Sequence, residues 1–188
     1  MGYDWERGSA DGYADAIEGA LNLYNREALP SVKNWVDSQT RLMWNMQEPD
    51  GIIEGWHGDG NFTRTTIMYC LWKSQGLTAD EWDENLFLGA ESRNGILFVS
   101  VSCETGWSGK IKFDTPKWRD KMHLPVDYPR INQFQQWFTV EPGNNYEITY
   151  IPSGKKKKFT GRELVNGLFI SLKPGEKIHF IVKGITAT

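Results

Sequence analysis

Several classes of protein are excluded by what this sequence lacks. It has only two cysteines, Cys70 and Cys103, and no CxxC pair, so neither a disulfide framework nor a structural zinc site can be built from it; both are expected to be buried free thiols. Its longest apolar runs, such as Ile96 to Val99 and Phe180 to Val182, fall far short of the roughly 20 residues a membrane-spanning helix needs. The opening Met1 to Arg7 has neither the basic nor the apolar segment of a secretory signal, a reading that leaves the compartment open because a processed or excised chain would look the same. The three histidines, His57, His123 and His179, are scattered without HExxH spacing, and there is no Walker lysine, no dinucleotide fingerprint and no GxSxG elbow. No cofactor or metal is expected. One basic run, Lys155 to Lys158, in a chain of net charge −3 argues against a nucleic-acid partner, and an edge strand guarded by lysines accounts for it.

Aromatic side chains are abundant: they make up 13% of the 188 residues and include nine tryptophans, which with 39% apolar content sets the chain apart from disordered sequences. The mild total charge hides two different halves. Residues 1 to 90 carry fifteen acidic and six basic side chains, whereas residues 91 to 188 carry nine and fifteen. The hydrophobic period changes in the same region, which places a boundary near Glu81 to Gly89 and divides the chain into a helical segment, 1–84, and a β domain, 85–188.

In the first half Tyr13, Ile17, Ala20, Leu21, Tyr24 and Ala28 recur at helical spacing behind Asp11, read as an N-cap. A second helix is expected from Pro30-Ser31 to Pro49, with a stripe of Val32, Trp35, Val36, Leu42, Met43 and Met46. A third spans Asn61 to Gln75, with Phe62, Thr66, Tyr69, Cys70 and Lys73 on neighbouring rows and Gly76 as a left-handed C-cap. In the second half strands are predicted over 95–102, 109–114, 137–140, 146–150, 167–172 and 177–182, separated by Asn-Gly and Pro-Gly turns. The fold class is therefore α+β: about three helices, then an antiparallel β-sandwich.

Candidate chemistry concentrates in Glu54-Gly-Trp56-His57-Gly-Asp59-Gly-Asn61-Phe-Thr-Arg64, where three glycines in six residues permit a ligand to approach the backbone. One reading is a sugar-binding or catalytic loop, with Trp56 as a stacking platform and Glu54 or Asp59 as acid or base. The other is that Asp59 or Asn61 caps the third helix, Trp56 packs and the glycines turn the chain. A second acidic group, Asp11, Asp15 and Glu18, lies on adjacent rows of the first helix, as a carboxylate pair sharing a proton or as a solvated acidic face. Residues 114–133 form a long Pro-broken excursion, expected to pack against a neighbour, in which Trp118 and Tyr128, with Trp137 beyond it, are either sugar platforms or packing anchors.

Taken in order, Asp11-Gly-Tyr13-Ala-Asp15-Ala-Ile-Glu18, Trp35-Val-Asp37, the Asp50 to Arg64 segment and Tyr69-Cys-Leu-Trp72-Lys-Ser-Gln-Gly76 resemble the last hairpins of large bacterial (α/α)-toroid proteins, the six-hairpin glycosidases and related polysaccharide-degrading enzymes. The resemblance implies a C-terminal piece: the end of a toroid followed by a β-sandwich, completed by an upstream helical part, and exported if the whole protein carries a signal. It further implies a polysaccharide or oligosaccharide ligand and a pocket ringed by helix N-termini. Glu54 and Asp59 would be the catalytic carboxylates, Trp56 would stack, and His57, Asn61 and Arg64 would bind substrate, with Asp11 and Asp15 on another wall. That scaffold hosts hydrolases, lyases and phosphorylases alike, so it does not choose a reaction.

Overall fold

The computed structural model describes residues 10–53, 60–128 and 134–185. Backbone contacts divide the chain into two compact units, one holding described residues 10–53, 60–72 and 134–135, the other 73–128 and 136–185. The fold is α+β, with helices ahead of two antiparallel sheets.

The first unit is built on α1 (Ala10–Arg26), α2 (Pro30–Trp44) and α3 (Asn61–Lys73). The spacing of Tyr13, Ala14, Ile17 and Leu21 gives α1 one apolar face, and all four are buried. Helix α1 begins at Ala10, so Asp11 lies inside the first turn instead of capping it from outside. Pro30 starts α2 because its fixed φ and missing N–H cost nothing at a helix N-terminus. The buried stripe of α2 is Val36, Gln39, Thr40 and Met43, whereas Leu42 and Met46, read as core from the sequence, are exposed. In α3 the buried residues are Phe62, Thr65, Met68, Tyr69 and Trp72; the face is rotated by about one residue from the expected rows, and that rotation leaves Cys70 exposed. Gly76 takes the left-handed conformation expected after this helix, with φ of 79°, and Gln75 precedes it at 53°.

Aromatic edge-to-face contacts link the helices. Tyr69 meets Trp72 at 5.4 Å and Trp44 at 5.2 Å, and Trp72 meets Tyr24 at 5.3 Å. The indole N–H of Trp44 donates to Thr66 Oγ1 at 3.2 Å.

The second unit opens with β1 (Thr78–Ala79), β2 (Leu86–Arg93), β3 (Ile96–Cys103) and β4 (Trp107–Lys112). After the short helix α4 (Lys117–Asp120) come β5 (Asn145–Ile151), β6 (Lys156–Thr160), α5 (Gly161–Asn166), β7 (Leu168–Leu172) and β8 (Lys177–Ile185). One sheet has the order β1-β4-β7, the other β2-β3-β8-β5-β6. Strict alternation decides the faces: Leu97, Val99, Val101 and Cys103 of β3 point inward, and so do Leu168, Ile170 and Leu172 of β7. They join Ile111, Ile148, Phe180 and Val182 in one core. Leu164 closes this core from α5, which starts on a capping box in which Thr160 and Glu163 each bond the other's backbone N–H.

Trp137 to Val140, predicted as a strand, forms no ladder. The N–H of Phe138 donates to Gln75 O and that of Val140 to Asp114 O, and among the described residues an isolated bridge joins Thr139 to Asp114. The lysine run occupies β6, an edge of its sheet, as read from the sequence; β2 forms the opposite edge. In the long excursion Arg119 forks onto both carboxylate oxygens of Glu141, at 3.0 and 2.8 Å, which ties α4 to the chain ahead of β5.

Candidate functional site

Of the eight residues that the resemblance implicates, Glu54, Trp56, His57 and Asp59 lie outside the described residues, and of Asp11 only the backbone is described. The remaining three can be placed. Gly60 accepts the N–H of Arg64 through its carbonyl, so α3 starts at Asn61, a half-buried first residue, and Arg64 sits in the first turn.

From that turn Arg64 reaches α1. Its Nε donates to Glu18 Oε1 at 2.7 Å and one terminal nitrogen donates to Asp15 Oδ1 at 3.0 Å. Glu18 also accepts the Thr65 hydroxyl at 2.9 Å, and Thr65 lies 3.4 Å from the Ala14 carbonyl. The acidic row of α1 and the end of the glycine-rich segment therefore belong to one cluster. The Glu18 side chain has no exposed surface, whereas those of Asp15 and Arg64 are about half exposed, at 51% and 40%.

This gradient assigns different parts to the three charges. A carboxylate with no exposed surface cannot touch a bulky substrate; Glu18 instead orients the guanidinium, which compensates the buried charge. Asp15 is the exposed carboxylate of the cluster among the described residues. Two of the donors of Arg64 are spent on α1, so Arg64 is a positioning residue that locks the start of α3. The sequence reading treated Glu18 as one member of an acidic surface and left Thr65 out. The signal was there, since Glu18 shares the apolar stripe with Ala14, Ile17 and Leu21, and glutamate is almost never fully buried without a partner.

A second polar tie joins α2 and α3, where the Tyr69 hydroxyl donates to Asp37 Oδ1 at 2.7 Å. A third joins α1 and α2, where the Tyr13 hydroxyl donates to the Gln39 carbonyl at 2.7 Å. Burial, and then the hydrogen bond and negative charge of Asp37, hold the Tyr69 phenol well above its ordinary range, and burial raises Tyr13 as well. Both tyrosines ionise at lower pH in the unfolded chain than in the folded one. The stability they contribute is thus complete below about pH 10 and is lost as pH climbs through the raised folded values. Tyr69→Phe is expected to lower stability by about 1.5 kcal/mol at neutral pH. It should also flatten the alkaline decline, as measured by urea unfolding across about pH 9 to 12; an unchanged alkaline slope would count against the assignment.

Among the described residues no group of three or more His, Cys, Asp or Glu stands within metal-binding reach, and no helix is long and apolar enough to cross a membrane. Comparison of the chain with protein families, curated proteins and solved structures finds no match.

Proposed function

We propose that this chain is the C-terminal portion of a carbohydrate-active protein of the six-hairpin glycosidase type and contributes part of a sugar-binding or catalytic cleft. The observation that carries the proposal is the cluster of Asp15, Glu18 and Arg64, which fixes the end of the Gly-rich segment against the acidic row of α1. Two sequence regions that resemble walls of a toroid pocket are thereby joined by direct contacts. Glu54 and Asp59 serve as the acid and base pair: one protonates the glycosidic oxygen while the other activates water or attacks the anomeric carbon. Trp56 stacks on the ring, His57 and Asn61 bond its hydroxyls, and Asp15 presents an exposed carboxylate beside them. An upstream helical region completes the ring of hairpins.

The test is release of reducing ends from a panel of polysaccharides by the protein expressed together with its upstream reading frame. Glu54→Gln and Asp59→Asn are each expected to lower turnover by about 100-fold or more. Full turnover in both variants would overturn the catalytic assignment. A second reading is a non-catalytic glycan-binding or structural β-sandwich module, in which the cluster only holds the helices together, a role that the full burial of Glu18 fits. Glycan binding without turnover in the wild-type protein would select it.

A further inference from the structure

The outward face of the five-stranded sheet has an apolar trough of about 320 Å³, within the range of small-molecule sites. Its floor is a row of directly opposed residues crossing four strands: Gly89 on β2, Ser100 on β3, His179 on β8 and Ile151 on β5. Phe98 rises beside this row, opposite Glu91 of β2. Phe98 and Ile151 retain 41% and 45% of their surface in water, an apolar exposure that a bound ring would relieve.

Gly89 is the informative residue. It lies inside a strand, where glycine is unfavourable, and a Cβ added there would meet nothing within 4 Å. Neither packing nor a left-handed turn requires it; what the missing side chain does is keep the end of the trough open.

The chemistry of the lining selects the occupant. The trough opens on the face of the sheet, where β3, β8 and β5 are paired on both sides and offer no ladder bonds to an extended peptide; the edge of β2 lies in the plane of the sheet and not in the trough. The lining holds no lysine or arginine, and its carboxylate, Glu91, is matched by Arg93 at 2.8 Å, which disfavours a phosphate or a uronate. A largely apolar lining that includes the hydroxyl of Ser100, the imidazole of His179 and the carboxylate of Glu91 fits a ligand with a C–H face and hydroxyls around its rim. The C–H groups of such a ring meet the electron-rich face of Phe98.

We infer that this trough binds the ring face of a neutral pyranose within an oligosaccharide, through residues distinct from the acidic cluster of α1 and α3. The inference rests on the glycan ligand class proposed above. It is tested by calorimetry with neutral gluco-, xylo- and manno-oligosaccharides, alongside imidazole resonances of His179 in the intact chain. Gly89→Val fills the trough with a strand-favouring residue, and Phe98→Ala removes its wall. Each is expected to weaken binding about tenfold while unfolding at or near the wild-type temperature, and the His179 signals should need about tenfold more ligand to shift in the variants than in the wild type. Should Gly89→Val fail to fold, Phe98→Ala and the His179 shifts decide alone. Wild-type affinity in the variants would overturn the trough while leaving the glycan reading intact. Absence of binding to the wild-type chain would overturn both.

Discussion

Arg64→Ala is expected to cost the helical unit about 3 kcal/mol at neutral pH. The substitution leaves Glu18 with no exposed surface and without the guanidinium that bonds it at 2.7 Å. A buried carboxylate stripped of its counter-charge is among the larger penalties a single substitution can impose. The half-exposed position of Arg64 keeps the expectation at the lower end of the usual range, because water can partly replace the lost donor. Arg64→Lys should recover only about half, since a single ammonium cannot supply the fork that serves Glu18 and Asp15 together. Glu18→Leu placed on Arg64→Ala should restore most of the stability, as it removes the buried charge that Arg64 had compensated and fills the site with apolar volume. Thr65 then keeps the Ala14 carbonyl as an acceptor. Native-state hydrogen exchange of α1 amides reads this unit separately from the sandwich. A loss below about 0.5 kcal/mol for Arg64→Ala would show that the cluster does not hold the helices.

Gly161→Ala should be nearly as costly, although alanine is normally the better helix former by about 1 kcal/mol. Gly161 is the first residue of α5, and a Cβ there would stand 1.9 Å from the Glu141 carbonyl oxygen and 2.6 Å from its carbon. Those atoms are backbone and cannot swing aside. The turn that carries them is fixed by several bonds: Gly161 N–H donates to Asn144 O, Arg162 N–H donates to Pro142 O, and Glu141 N–H donates to the Tyr146 hydroxyl. Relief requires α5 or the turn to move, and α5 carries the fully buried Leu164. We expect a loss of about 3 kcal/mol, at the upper end of what overpacking costs. It should appear as a lower melting temperature of the sandwich in near-ultraviolet circular dichroism. An unchanged or higher melting temperature would refute the close approach.

The helices were legible because their apolar spacing is regular, and the rotation of α3 by one residue is the error such spacing permits. The strand β2 was not legible, for a definite reason. Leu86, Leu88 and Ala90 pack on the core, but Phe87 and Gly89 face outward, so apolar and polar residues do not alternate along it. Strand β6 shows no alternation and was legible only through its lysine run, read as a guarded edge; Phe159 is the residue that packs on the core. Residues 137–140 mislead in the opposite direction: Phe138 and Val140 are buried in alternation, yet each backbone bond goes to a different segment. In the candidate site, the acidic row and the glycine-rich segment were both visible as local patterns. The contact between Arg64 and Glu18 was not, because it spans 46 residues of sequence. The trough was hidden for the same reason, since its floor is assembled from four strands.

The two margins of the five-stranded sheet are chemically unlike. On one side β6 is shielded by its lysines, which meet an incoming strand with like charge and a desolvation penalty; on the other, β2 offers eight residues with two charged side chains near one end. A filament that grows by sheet extension must recruit at both ends of every copy. Two copies meeting through β2 would each present a lysine-bearing border outward, which disfavours further growth along this sheet.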